Sequence, residues 1–307
     1  MLRETEKGSM MRCAKFAGRL LAAVILSLGS GLAAADQSLS ERPKIVALDP
    51  PEKDFFAKEL FCENIPIKAP SVVADEAMLA AYDNLARMLT NLPMVASNLV
   101  AAGVELHIIG RNQVTTDLPE WRQDKGKPLA EYNGLTRDQR TRGMGGRLTS
   151  CGEENLLKLR EDRYFGRDIC AHEFSHSIRN YGIPNSVRQK FNQQYQRSLN
   201  KGLWKGSYAG SNPDEFFAEL TMWYFGTHGD LHMSDPKPEN GPEGLRAYDP
   251  EAFALLDDFY KGRIPISRVE PREPIGVGMA LSRHPSLQTG RADFPHPAFQ
   301  SVVSRRD

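Results

Sequence analysis

The chain has 307 residues, with 39 basic residues balanced by 39 acidic ones and a formal net charge of zero. Hydrophobic residues make up 40% and charged residues 25%, enough apolar material for one large domain or two small ones. No basic block stands out, so the composition offers no surface for nucleic acid or an anionic membrane.

Residues 1–35 read as a removable signal peptide. Arg12, Lys15 and Arg19 precede an apolar run over 20–28, and Ala33, Ala34 and Ala35 offer small residues for cleavage before Asp36. The run is too short to span a bilayer, and no cysteine follows it to carry a lipid. Removing the segment takes away five basic and two acidic residues, leaving 34 against 37 and a net charge of −3. The expectation is a secreted chain, extracellular or periplasmic, with no membrane span.

Between 36 and about 70, Pro43, Pro50, Pro51, Pro66 and Pro70 interrupt regular structure, with a short helix expected over 54–61. Within 71–102, Met78, Leu79, Tyr82, Leu85, Met88 and Leu89 recur at helical spacing. Pro93 divides that stretch into two helices, and Gly103 ends the second. Residues 104–109 alternate and are β-rich, which predicts a strand. The polar segment 111–150 contains Arg142-Gly143-Met144-Gly145-Gly146-Arg147, whose glycines allow close backbone approach. It reads either as a substrate-edge strand or as a flexible loop. Residues 153–157 fit a strand or a helix.

The chemistry is concentrated further on. Cys170-Ala171-His172-Glu173-Phe174-Ser175-His176-Ser177 contains His-Glu-x-x-His. On an α-helix, positions i and i+4 lie about 40° apart around the axis, so His172 and His176 share a face. Two neutral imidazoles on adjacent turns can hold one Zn²⁺. Glu173 lies about 100° round from His172, placed to act on a water as a general base rather than as a ligand. This helix ends near Gly182, before Pro184.

A third ligand is needed, because catalytic zinc sites take three protein ligands and keep one position open. The candidates lie in Ser207-Tyr208-Ala209-Gly210-Ser211-Asn212-Pro213-Asp214-Glu215-Phe216-Phe217-Ala218-Glu219. Pro213 suits a first helical turn, with Asn212 or Ser211 as cap. Glu215 and Glu219 are i and i+4, so one carboxylate can bind the metal while the other reaches a ligating histidine. Phe216, Phe217, Leu220, Trp223, Tyr224 and Phe225 make this helix apolar around most of its circumference. A buried helix keeps carboxylates where they are paired or metal-bound. A polar helix over 187–199 and a linker over 200–206 separate the two motifs, which excludes a compact site with a nearby third histidine.

HEFSH followed by SYxxxNxxEFFAE resembles the gluzincin metallopeptidases related to the catalytic domain of anthrax lethal factor. The likeness spans roughly 140–262 and is close only at the two motifs. It implies an α+β, zincin-like domain, mainly helical around a small sheet, with one Zn²⁺ per chain and a peptide or protein substrate. By that likeness His172, His176 and Glu215 are the metal ligands and Glu173 the base. Tyr208, seven residues before Glu215, supplies the hydroxyl facing the reacting carbonyl. Glu219 orients a ligating imidazole. No counterpart of the toxin's receptor-binding and docking regions is visible, so its substrate is not carried over. A zinc-binding protein that keeps the fold without catalysis and a host-directed effector protease are the competing readings.

Beyond the Glu215 helix, 227–247 reads as a polar loop in which His228 and His232 are solvated. Asp249 caps and Pro250 opens a last amphipathic helix that runs to Tyr260. One domain therefore covers 36–262, and the Pro-rich tail 263–307 reads as extended or disordered. Past the signal peptide the cysteines are Cys62, Cys151 and Cys170, which permit one internal disulfide and leave one thiol. Cys151 with Cys170 is the expected pair. The alternatives place Cys62 in the bond with either, or set its thiol in the open zinc position.

Overall fold

The computed structural model describes residues 43–227 and 236–270. The signal peptide, His228, His232 and residues 271–307 lie outside the described residues. Six strands form one mixed sheet: β1 (Val46–Glu52), β2 (Phe56–Cys62), β3 (Ile65–Ala69), β4 (Glu105–Ile109), β5 (Gly143–Met144) and β6 (Leu148–Gly152). Their order is β1-β2-β3-β4-β6-β5. The β3–β4 and β4–β6 pairs are parallel, and the others antiparallel. The helices are α1 (Asp75–Leu89), α2 (Pro93–Ala101), α3 (Arg137–Arg140), α4 (Glu153–Leu156), α5 (Ile169–Ser177), α6 (Asn185–Asn200), α7 (Pro213–Tyr224), α8 (Pro242–Tyr248) and α9 (Pro250–Tyr260). This is an α+β architecture. No helix among the described residues is long and apolar enough to cross a membrane.

The first three strands correct the reading of 36–70. No helix forms over 54–61. Lys53 and Asp54 turn the chain with positive φ, and Phe56 then starts β2. Glu63 and Asn64, both at positive φ, make the two-residue turn into β3, the geometry that lets a hairpin follow the natural twist of its strands. Cross-strand pairing from Lys58↔Ala69 to Cys62↔Ile65 outweighs any local helical preference. The prolines are tolerated by position. Pro50 and Pro51 lie in β1, an edge strand. Pro66 precedes Ile67 and Lys68, the residues that pair with β4.

The helices expected over 71–102 and the strand expected over 104–109 match α1, α2 and β4. Gly103 has φ +67°, the left-handed conformation that ends α2 at low cost. One face of the sheet packs Leu60, Ile67, Leu106 and Ile108 against Met78, Leu85 and Phe174 in the main core. The other face carries a smaller cluster of Phe56, Ile109 and Leu118. Residues 153–157, undecided from sequence, begin as the single turn α4. Within 227–247, the described part contains α8, which a loop reading missed. Residues 263–270, the described part of the tail, stay packed: Ile264 is buried, and Asn98 accepts a hydrogen bond from the Val269 amide and donates one to the Ser267 carbonyl.

Candidate metal centre

α5 is set between the sheet and α7. Its N-terminus is fixed by Asp168, whose carboxylate accepts from the Ala171 amide and also takes Asn84 and Arg87 from α1. Asn155 of α4 accepts from the Ile169 amide at 2.9 Å, pinning the approach to the helix. The helix does not stop at Ser177 but widens into a π turn over Ile178–Gly182. There the buried Arg179 guanidinium binds Asp214 in the first turn of α7 and Asn192 of α6. α7 begins where Asn212 caps it, its side-chain oxygen accepting from the amides of Asp214 and Glu215 at 2.9 Å each.

This packing brings His172, His176 and Glu215 together. The Nε2 atoms of the two histidines are 3.3 Å apart. Oε2 of Glu215 lies 3.2 Å from the first and 3.5 Å from the second. Ligands held at about 2.0–2.1 Å from a tetrahedral ion stand about 3.3–3.4 Å from one another. The three atoms therefore outline one face of such a tetrahedron. Glu215 Oε2 is buried and accepts no hydrogen bond from the protein, and a bare carboxylate oxygen in that setting needs a cation. The donor set, two imidazoles and a carboxylate, fits zinc.

Glu219 and Glu173 stand on either side of that triangle in different ways. Glu219 is fully buried; its Oε1 lies 3.1 Å from Nδ1 of His172 and accepts from Arg167 Nη2 at 2.8 Å. It is placed to hold the His172 ring so that Nε2 faces Glu215. One Glu173 carboxylate oxygen and a ring nitrogen of each histidine all lie within 4.8 Å of one another. Glu173 makes no ion pair with either ring within 4.0 Å, so Glu215 is the better-placed third donor.

The electrostatics follow from this crowding. Burial disfavours a charged His172, yet Glu215 and Glu219 outweigh it and raise its pKa to about 10. The same negative charge favours a divalent cation in that space. Burial acts against the Glu215 carboxylate too, but the two imidazoles hold its pKa well below the usual carboxylate range. Glu173 goes the other way: burial raises its pKa, and the charges of His172 and His176 only partly offset this.

Tyr208 stands over the same group. Its ring stacks on His172, with centroids 6.2 Å apart and 24° between planes, and burial with the nearby Glu215 pushes its hydroxyl pKa up. The loop that carries it is anchored on buried Trp204, which adopts φ +63°. Trp204 Nε1 donates to Asp249 at 2.9 Å, and its amide donates to the Tyr248 hydroxyl. Gly210 packs so closely that a Cβ there would lie 2.1 Å from the Trp204 carbonyl oxygen.

The glycine run at 142–147 is the edge strand β5 and the turn that follows it, against α5. A Cβ on Gly143 would lie 3.1 Å from Cγ of Glu173. Thr149 and Ser177 share a 2.7 Å hydrogen bond, and Ser177 donates to the Gly146 carbonyl, joining the β5–β6 hairpin to α5. Cys151 of β6 and Cys170 of α5 are disulfide-bonded, with Cα atoms 5.1 Å apart, and Cys62 is a buried free thiol. Burial pushes the Cys62 pKa up to about 12, and Cys62 lies in the sheet core rather than among the histidines. Sequence reasoning missed Arg167 and Arg179, and it read Asp249 as a helix cap without its bond to Trp204. None carries a motif, because each acts through a partner 35 to 52 residues away.

An open groove of about 470 Å³ lined by Phe55, Gln113, Thr116, Asp117, Arg122 and Lys125 shares no residue with this centre. No family model matches the chain, and no curated protein matches it. Among solved structures it is similar to the PRO-PRO endopeptidase PPEP-2 from Paenibacillus alvei, at 17% identity and a TM-score of 0.41, over 61% of this chain and 92% of that one. A likeness at that level carries no weight for fold or activity.

Proposed function

We propose that the protein is a zinc-dependent endopeptidase, exported after removal of residues 1–35, in which His172, His176 and Glu215 hold one zinc ion. The observation that supports it most is the 3.2, 3.3 and 3.5 Å triangle of donor atoms with the raised-pKa Glu173 carboxyl beside it. The bond between Cys151 and Cys170 suits an oxidising compartment.

Bound in that triangle, zinc supplies Lewis acidity toward a carbonyl and lowers the pKa of water to about 7. Glu173 takes the proton of the attacking water and returns it to the leaving amine. Tyr208 donates its hydroxyl to the carbonyl oxygen as negative charge develops there. Glu219, held by Arg167, keeps the His172 tautomer with its proton on Nδ1. Arg179 and Asn212 keep Glu215 in register by fixing the first turn of α7.

Metal analysis combined with digestion of a random mixture of amidated decapeptides tests this. The expected result is about one zinc per chain, lost in His176→Ala, and cleavage abolished both by chelation and by Glu173→Gln, which retains zinc. Equal zinc in wild type and His176→Ala would overturn the ligand assignment. A zinc-loaded wild type that leaves every peptide intact would overturn the peptidase reading in favour of a non-catalytic zinc protein.

A further inference from the structure

Tyr208 sits in the loop over 204–211, outside every helix and strand, so its ring keeps its place over His172 only through what holds that loop. Trp204, with no exposed surface, donates from Nε1 to Asp249 Oδ2 at 2.9 Å and from its amide to the Tyr248 hydroxyl at 3.1 Å. Its carbonyl accepts from Ser207 Oγ at 2.8 Å, and Ser207 Oγ in turn accepts from the Gly210 amide at 3.1 Å. The Gly210 carbonyl takes the hydroxyl of Tyr195 from α6 at 2.9 Å. The half-buried Tyr208 is thus carried on a closed turn whose first residue is bolted to the junction of α8 and α9.

Asp249 is the bolt, and its two oxygens have different duties. Oδ1 accepts from the Ala252 amide and caps α9. Oδ2 accepts from Trp204 Nε1 and from Ser198 Oγ of α6, the latter at 2.5 Å. Capping a helix needs one side-chain oxygen, so the second oxygen of this buried carboxylate serves α6 and the Tyr208 loop. An indole N–H can only donate, and buried without an acceptor it is costly. Trp204 also adopts φ +63°, an uncommon conformation for a bulky residue that persists only where its surroundings hold it. Its ring packs edge-on against Trp223 of α7 and against Tyr248, with centroids 5.1 and 4.9 Å away.

We infer that Asp249 is a positioning residue for the Tyr208 hydroxyl: acting through Trp204 and Ser207, it fixes that hydroxyl over the metal centre. This rests on the peptidase reading and on the part Tyr208 plays in it. A displacement of about 1 Å can cost about 10²-fold in rate even when its origin is remote from the chemistry. Because Asp249 acts through the hydroxyl, its effect belongs to kcat and vanishes once the hydroxyl is gone.

The test uses the zinc-loaded chain and a peptide taken from the wild-type digest. Asp249→Ala should lower kcat by about 10- to 100-fold, with KM and zinc content close to wild type. In the Tyr208→Phe background the same substitution should cost no further activity. A second readout needs no turnover: nitration by tetranitromethane, followed by peptide mapping. Tyr208 should nitrate several-fold faster in Asp249→Ala, while Tyr260, buried in α9 with its hydroxyl on Thr221, stays unmodified and shows that α9 is intact. Ser207→Ala breaks the same chain of contacts further along and should give the same pattern, which keeps the test readable if Asp249→Ala does not fold. Wild-type nitration of Tyr208 in the folded variants, or a loss of kcat equally large in the Tyr208→Phe background, would overturn the inference. A wild-type kcat in Tyr208→Phe would overturn it too, while zinc and Glu173 would still carry the peptidase reading. Failure of wild type to cleave any peptide would remove both.

Discussion

Gly145 lies against His176 so closely that a Cβ on it would come within 2.6 Å of the histidine Cβ and 2.8 Å of its ring. The turn after the edge strand thus packs its backbone directly on the His176 side chain, with no room for a side chain between them. Gly145→Ala must move either β5 or His176. Overpacking of this kind typically costs about 1–3 kcal/mol. The expected outcome is a folded chain with zinc affinity reduced at least about ten-fold, read by competition with a chelator. Unchanged zinc affinity and unchanged melting temperature would show that the contact is slack.

Glu219 has no exposed surface and serves both Arg167 and His172. Removing the carboxylate that orients a metal-bound imidazole typically costs about 10–100-fold in metal affinity. Glu219→Gln should lose that much zinc affinity, while Arg167→Ala should lose less and keep the His172 contact. Isothermal titration of zinc into both variants checks the order, and equal losses would argue that Arg167 and Glu219 act as one unit.

Tyr208→Phe keeps the ring stacked on His172 and removes the hydroxyl. If that hydroxyl meets the developing oxyanion, kcat should fall by about 10²–10³ with KM changing much less. Zinc content and melting temperature should stay at wild-type values. An unchanged kcat in a folded, zinc-loaded variant would take Tyr208 out of the chemistry.

A buried network on the second face of the sheet sets the acid limit of stability. His107 has no exposed surface and lies 2.9 Å from Glu105 and 2.6 Å from Glu120, while Lys68 reaches Glu105 at 2.9 Å. Burial acts against the Glu105 carboxylate, but His107 and Lys68 overcome it and lower its pKa to about 2. A depressed carboxyl pKa stabilises above its unfolded value of about 4.3 and loses that contribution as pH falls toward 2, at most about 3 kcal/mol. His107 is shifted upward: its burial is outweighed by the two glutamates. Its contribution is complete below about pH 6.5 and is lost as pH rises through the raised pKa. Urea midpoints from pH 2 to 9 should therefore pass through a maximum between those limits. In Glu105→Gln the acid-side slope should shrink, and an unaltered slope would place the acid lability elsewhere.

The Cys151–Cys170 bond ties the strand beside β5 to the residue two positions before His172. Closing a loop of that length typically stabilises by about 2–4 kcal/mol. The double variant Cys151→Ser, Cys170→Ser should melt earlier and release zinc more readily under chelator, with Cys62 remaining unreactive while the chain is folded. Wild-type stability in the double variant would reduce the bond to an ornament of the fold.

Some of this was legible in the order of the residues. The shared face of His172 and His176 follows from 3.6 residues per turn, a local property that needs no partner. The cap at Asn212 and the break at Pro93 are equally local, as are the caps and starts of α7 and α9. What sequence reading could not reach depends on contacts between distant segments. Residues 54–61 carry no strong strand signal, and they became β2 because β1 and β3 supply its hydrogen bonds. Glu215 and Glu219 were interchangeable on one helix face until the packing of α7 on α5 turned the first toward Nε2 and the second toward Nδ1. Arg142 and Arg140 look alike in the sequence; an ion pair with Glu154 fixes the former and none holds the latter among the described residues. Helical periodicity and caps are energies between near neighbours, and the chain carries them wherever it goes. The distance from one ring nitrogen to a carboxylate 43 residues away exists only after the core has closed.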